Sequence, residues 1–193
     1  MKINQEQFLL SLHQNLQEEL SQTQELEKLP LEKLQWKKHD KAWNILECVY
    51  HLNLYGEFYI PHFQRLLKTA KDKSSETYTS GWLGNYFANS MKPKAEKVKN
   101  KMPSPKDKNP IGLPLEKDII NTRIQQINAL IEIVDLAKSK DLKKKRCPIT
   151  ISTFITLQLG DALHFIINHE SRHLLQIKKI LHYKENINPV NNE

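Results

Sequence analysis

Ile120, Ile124, Ile127, Ile131 and Val134 recur at alternating spacings of four and three, the signature of a helix carrying one continuous apolar seam. Such a seam is stable in water only when another element covers it, so helix-on-helix packing is the first expectation. Three other segments repeat the pattern. Leu9, Leu12, Leu16, Leu20 and Thr23 mark a helix over about 4–27, with Asn4 and Gln7 spaced as a capping box and Pro30 beyond its end. Trp43, Leu46, Tyr50, Leu54 and Phe58 mark a second over about 40–71, capped by Asp40, in which Pro61 should kink or split the helix. The Ile-rich seam defines a third over about 115–138. Leu159, Leu163, Ile167, Leu174, Ile177 and Leu181 define a fourth over about 155–182.

Four helices, five glycines in 193 residues and little β-branched alternation predict an all-α chain built as a four-helix bundle. One domain over 1–185 with a disordered tail at 186–193 is expected. The link over 72–114 is too long to be structureless. It reads as a crossover between helices 2 and 3, anchored by a buried island at Trp82, Leu83, Tyr86 and Phe87.

The net charge of +7 is concentrated. Residues 92–108 and 138–146 carry +5 each, which leaves −3 for everything else. Two local tracts without interleaved aromatics do not make a nucleic-acid face. No apolar run reaches the ~18 residues of a membrane span, and the N-terminus lacks a secretory pattern, so a cytoplasmic protein is expected. Cys48 and Cys147 read as reduced thiols.

The chemistry lies in the eight histidines. His169 and His173, at i and i+4, share one side of helix 4, a metal-ligand spacing. On a helical wheel His173 borders the apolar stripe and His169 lies about 40° further round. A third ligand must come from another helix, and His51 is the best placed. It lies ~16 Å into helix 2, while His169 and His173 lie roughly 20 and 14 Å before the end of helix 4. Antiparallel packing of these two helices would bring all three rings to one level. Cys48, three residues before His51, reads as a small buried hydrophobe rather than a soft ligand.

His169-Glu170-Ser171-Arg172-His173 also fits HExxH, in which the glutamate is the base of a zinc peptidase. Gln176 and Lys179 stand where the extended form needs Gly and His, and Glu170 falls near the centre of the apolar stripe. Glu170 therefore reads as a partner that supports the ligands or bridges helices, not as a base. Glu47, one turn before His51, could orient its ring. Arg172 is the candidate contact for an anionic cofactor.

Two stretches together resemble the DinB superfamily, which includes the YfiT-like metalloenzymes. They are Trp43-Asn44-Ile45-Leu46-Glu47-Cys48-Val49-Tyr50-His51-Leu52 and Asn168-His169-Glu170-Ser171-Arg172-His173-Leu174-Leu175-Gln176-Ile177. The resemblance implies an up-down-down-up bundle with a long crossover between helices 2 and 3. It also implies a divalent metal, zinc or nickel, on His51, His169 and His173. Its characterised members include thiol S-transferases using bacillithiol, mycothiol-dependent isomerases and glutathione-dependent enzymes. The implied activity is a bacillithiol-type S-transferase acting on a small-molecule electrophile, with a homodimer as the expected assembly. A metal-dependent hydrolase using bound water, or a non-catalytic metal-binding stress protein using Lys143, Lys144 and Lys145 for a partner, are the alternatives.

Overall fold

A computed structural model describes residues 2–73, 75–93, 104–150 and 152–187. Asn4 ends the short strand β1 (Lys2–Asn4) and caps α1 (Gln5–Glu27), its side chain accepting from the Gln7 amide at 3.0 Å. Leu9, Leu12 and Leu16 of α1 are fully buried, each contributing about 1.5–3 kcal/mol of hydrophobic stabilisation. A five-residue helix, α2 (Leu31–Gln35), follows and buries Leu34.

The second long helix starts later than Asp40 predicts. α3 (Ile45–Thr69) is capped by Asn44, whose side chain accepts from the Glu47 amide while Glu47 accepts from the Asn44 amide. Asn44 has a glutamate three residues on and Asp40 does not, so the reciprocal box forms only at Asn44. α3 runs unsplit through Pro61. Strand β2 (Thr77–Thr79) then pairs antiparallel with β1, Ile3 opposite Tyr78.

The crossover contains a helix, α4 (Trp82–Met91), but its packing face is not the expected aromatic island. Trp82 is 82% and Tyr86 63% exposed, Leu83 and Phe87 are half-buried, and Gly84, Ala88 and Met91 are buried instead. Small residues let α4 lie close on the last helix, and a Cβ at Gly84 would collide with the Asp161 carboxyl. Much of the 92–108 lysine tract, residues 94–103, lies outside the described residues.

α5 (Ile119–Ala137) carries the isoleucine seam, with Ile120 and Ile127 fully buried. The basic 138–146 tract forms a turn that leads into β3 (Arg146–Ile149). Asp141 accepts from the Lys143 and Lys144 amides, and Lys140 pairs with Asp72 at 2.8 Å. Residues 155–158, expected to open the last helix, instead belong to β4 (Ser152–Gln158), paired antiparallel with β3 (Arg146–Ile149). α6 (Leu159–Ile187) begins directly after β4, so the first two residues of the expected 186–193 tail are helical and 188–193 lie outside the described residues.

The described residues are mostly helical, with two small two-stranded sheets. The long helices pack α1 on α5, α5 on α3, α3 on α6 and α6 on α1. Two apolar clusters result. The larger joins α1, α3, α5, α6 and the β3–β4 hairpin, and the smaller gathers Leu34, Ile45, Leu46, Val49 and Ile177. Among the described residues no helix is long and apolar enough to cross a membrane.

Candidate metal centre

His51 projects from the second turn of α3, His169 and His173 from the middle of α6, and the packing of these helices brings the three rings together. His51 Nε2 lies 3.2 Å and His173 Nε2 3.1 Å from His169 Nε2. All three residues are buried, and one nitrogen from each lies within 4.8 Å of the others.

The outer ring nitrogens decide what the inner ones present. His51 Nδ1 lies 2.7 Å from the Lys108 carbonyl oxygen, and His173 Nδ1 lies 3.1 Å from Gln176 Oε1. Both oxygens can only accept, so each Nδ1 carries the hydrogen and each Nε2 presents a lone pair inward. Burial holds the rings neutral. It lowers the His51 pKa to about 4 and those of His169 and His173 well below the usual histidine value, the neighbouring rings adding to the effect for the latter two. His169 Nδ1 is buried without a hydrogen-bond partner among the described residues.

Lone pairs converging from neutral rings repel unless a proton or a cation lies among them. Two bonds of 2.0–2.1 Å at a tetrahedral angle would place their nitrogens about 3.3–3.4 Å apart, close to the observed spacings. Three neutral imidazoles are also a donor set suited to zinc or nickel. The residues present therefore fit a divalent metal.

An aromatic wall surrounds the cluster. The Trp43 ring centroid lies 4.8 Å from that of His51 and 5.8 Å from that of His173. Tyr55 lies 4.4 Å from His169, and Phe165 stacks on His169 at 6.3 Å. Burial keeps the Tyr55 hydroxyl protonated. The cluster opens into a cavity of about 950 Å³.

The remaining candidates fall in different places. Glu47 accepts from the Asn44 and Gly112 amides and pairs with Lys37 at 2.6 Å, while the oxygen beside His51 Nδ1 is the Lys108 carbonyl. Glu170 points away from the cluster's cavity side into an ion pair with Arg123 at 2.6 Å, joining α6 to α5. Arg172 is buried and lines the cavity. Cys48 lies in the smaller apolar cluster, where burial raises its thiol pKa, and it is not one of the grouped metal-ligand residues.

Two contributors escape the sequence. The Lys108 carbonyl has no side-chain signature, and Asn109, which accepts from the Trp43 indole at 3.1 Å, lies on the same distant segment. Tyr55 and Gln176 did carry a signal, at i+4 from His51 and i+3 from His173.

No curated protein and no solved structure matches the chain. The family model of the DinB superfamily does, over residues 14–177, a span that takes in α3, α5 and all three clustered histidines. That family and a buried three-histidine group both fit a metal-binding protein. With most of its length covered by that model, the chain belongs to the DinB superfamily.

Proposed function

We propose that this protein is a divalent-metal-dependent thiol S-transferase of the bacillithiol type, built on an up-down-down-up bundle and using zinc or nickel. The observation that carries the reading is the convergence of three neutral imidazoles at a cavity large enough for small molecules. A divalent metal held by His51, His169 and His173 supplies a Lewis acid that favours loss of the proton from a thiol beside it.

The chain's own residues prepare the site. Lys108 and Gln176 fix the tautomers of His51 and His173, so the ligand nitrogens need no reorganisation. Trp43, Tyr55 and Phe165 exclude water from the rings. Tyr55, kept neutral by burial, offers an O–H to an acceptor in the cavity. In the transfer, the thiol sulfur bonds to the electrophilic carbon as the leaving group departs with its bonding pair, and the thiol proton passes to solvent.

Metal content per chain, measured on wild type and His169→Ala purified without a metal-affinity tag, tests the site. About one equivalent in wild type, lost in the variant, is expected. A screen of small thiols against electrophiles should then give turnover that His51→Ala abolishes. Turnover that needs no thiol would replace the transferase with a hydrolase. A wild-type chain that takes up neither zinc nor nickel would overturn both readings.

A further inference from the structure

α6 orders the cavity along its own axis. Phe165 lies one turn before His169, about 6 Å along the helix, and Lys179 lies about 9 Å beyond His173, with Tyr183 a turn further. All of these side chains line the same cavity. At the Phe165 end the wall is apolar. Phe87 of α4 packs on Phe165 with ring centroids 6.3 Å apart, and Met91 lines the cavity one turn on from Phe87.

At the Lys179 end the wall is cationic. Lys38 sits over the Tyr183 ring at 4.1 Å, and Lys41 joins it from the segment before α3. No aspartate or glutamate lines the cavity among the described residues. Asp40, between His39 and Lys41 in sequence, is exposed and not part of the lining. Lys41 and Lys179 form no ion pair among the described residues, unlike Lys37, which pairs with Glu47. A wall of cations without a carboxylate concentrates anions, and a low-dielectric cleft strengthens the effect.

We infer that the cavity has two subsites on either side of the histidines: one for the acidic group of an anionic ligand, at Lys38, Lys41 and Lys179, and one for an apolar ligand, at Phe87, Met91 and Phe165. Rested on the transferase reading, these are the places of the two co-substrates, and the reacting atoms meet at the histidines between them.

Two dyes of nearly the same ring system test the division on the metal-stripped full chain. One is 8-anilinonaphthalene-1-sulfonate, which is anionic; the other is N-phenyl-1-naphthylamine, which is neutral. Lys41→Glu with Lys179→Glu should weaken sulfonate binding about tenfold, the scale of two modest ion pairs. The neutral dye should change by no more than about twofold. Phe87→Ala should weaken the neutral dye. Equal affinity of both dyes for wild type and the double charge variant would overturn the anionic subsite, as would equal loss of both. Lys41→Gln with Lys179→Gln, which adds no new charge, should give the same ranking with a smaller effect, and a reversed ranking would also overturn it. These titrations need no metal, so their failure is separable from failure of the metal-content test.

Discussion

The carboxylate of Glu170 lies 2.6 Å from the guanidinium of Arg123, and neither side chain is more than 1% exposed. The same guanidinium reaches Glu19 of α1 at 2.9 Å, so one cation serves two carboxylates in a dry interior. The glutamate of the HExxH-like segment is thereby engaged across the helix interior. Burial raises the Glu170 pKa well above the usual carboxylate value, and Glu19 adds to the rise. An amide of the same shape can still accept from the guanidinium, and Arg123 keeps Glu19 as its counter-charge. Glu170→Gln should therefore keep its metal content and lose at most about 1 kcal/mol of stability. Arg123→Leu leaves two acidic groups buried without their cation and should cost about 3–5 kcal/mol. Urea denaturation of both variants checks the contrast. Similar losses in the two would show that Glu170 is not held by Arg123 in this way.

Glu47 ties the start of α3 to the returning crossover. It closes the cap at Asn44, holds the Gly112 amide at 2.7 Å and pairs with Lys37. Four residues earlier on that crossover, the Lys108 carbonyl fixes the His51 ring. Glu47→Ala should cost about 1–2 kcal/mol through the lost cap and, by loosening the crossover, weaken zinc affinity by roughly tenfold. Competition with a coloured chelator reads the affinity. Unchanged zinc binding in a folded Glu47→Ala variant would confine Glu47 to capping.

Asp161 fastens the other end of the crossover. In the first turn of α6 its buried carboxylate accepts from Tyr78 Oη at 2.7 Å, Ser80 Oγ at 2.5 Å and the Gly81 amide at 3.0 Å. Removing it leaves the Tyr78 hydroxyl and its neighbours without an acceptor. Asp161→Ala should lose about 2–4 kcal/mol, and Asp161→Asn less. Hydrogen exchange should show the loss first at β2 and α4. Protection unchanged in those two elements would mean that Asp161 does not hold them.

The long helices were legible because each needs one buried stripe, and Leu9, Leu12 and Leu16 or Ile120 and Ile127 mark such stripes at helical spacing. The three histidines were legible for the same reason: ring positions on a helix follow from its rise and turn. The hairpin was missed because Ile149 to Thr156 is a short β-branched run beside a strong helix pattern, which absorbed its last residues. Local alternation gives way to a neighbouring period unless the turn between strands is recognised. The exposure of Trp82 was missed because aromatic size suggests burial, whereas close helix approach selects Gly84 and Ala88. The support of His51 by Lys108 was beyond reach, since a backbone carbonyl acts at any residue type and 57 positions separate the pair.

Acid should destabilise the metal-free protein in a window set by the histidines. Unfolded, each takes up a proton near pH 6.5, while in the folded state the His51 pKa lies at about 4 and those of His169 and His173 are well lowered. Below pH 6.5 the unfolded chain binds more protons than the folded one, so stability falls as the pH drops. For His51 the loss levels off below about pH 4, where the folded ring also protonates. Three such groups give a slope of up to about 4 kcal/mol per pH unit. Burial raises the Asp141 pKa but the Lys143 and Lys144 amides outweigh it, so Asp141 acts only at lower pH, whereas Glu170, raised by burial, offsets part of the slope and His164, lowered by burial, adds to it. Urea midpoints in EDTA between pH 4.5 and 7.5 should thus fall steeply for wild type and more gently for His169→Phe, which removes one of the protons. Zinc at about a hundred times its Kd should add about 2.7 kcal/mol at pH 7.5. Parallel pH profiles for wild type and the variant would show that the buried rings are not held neutral by the fold.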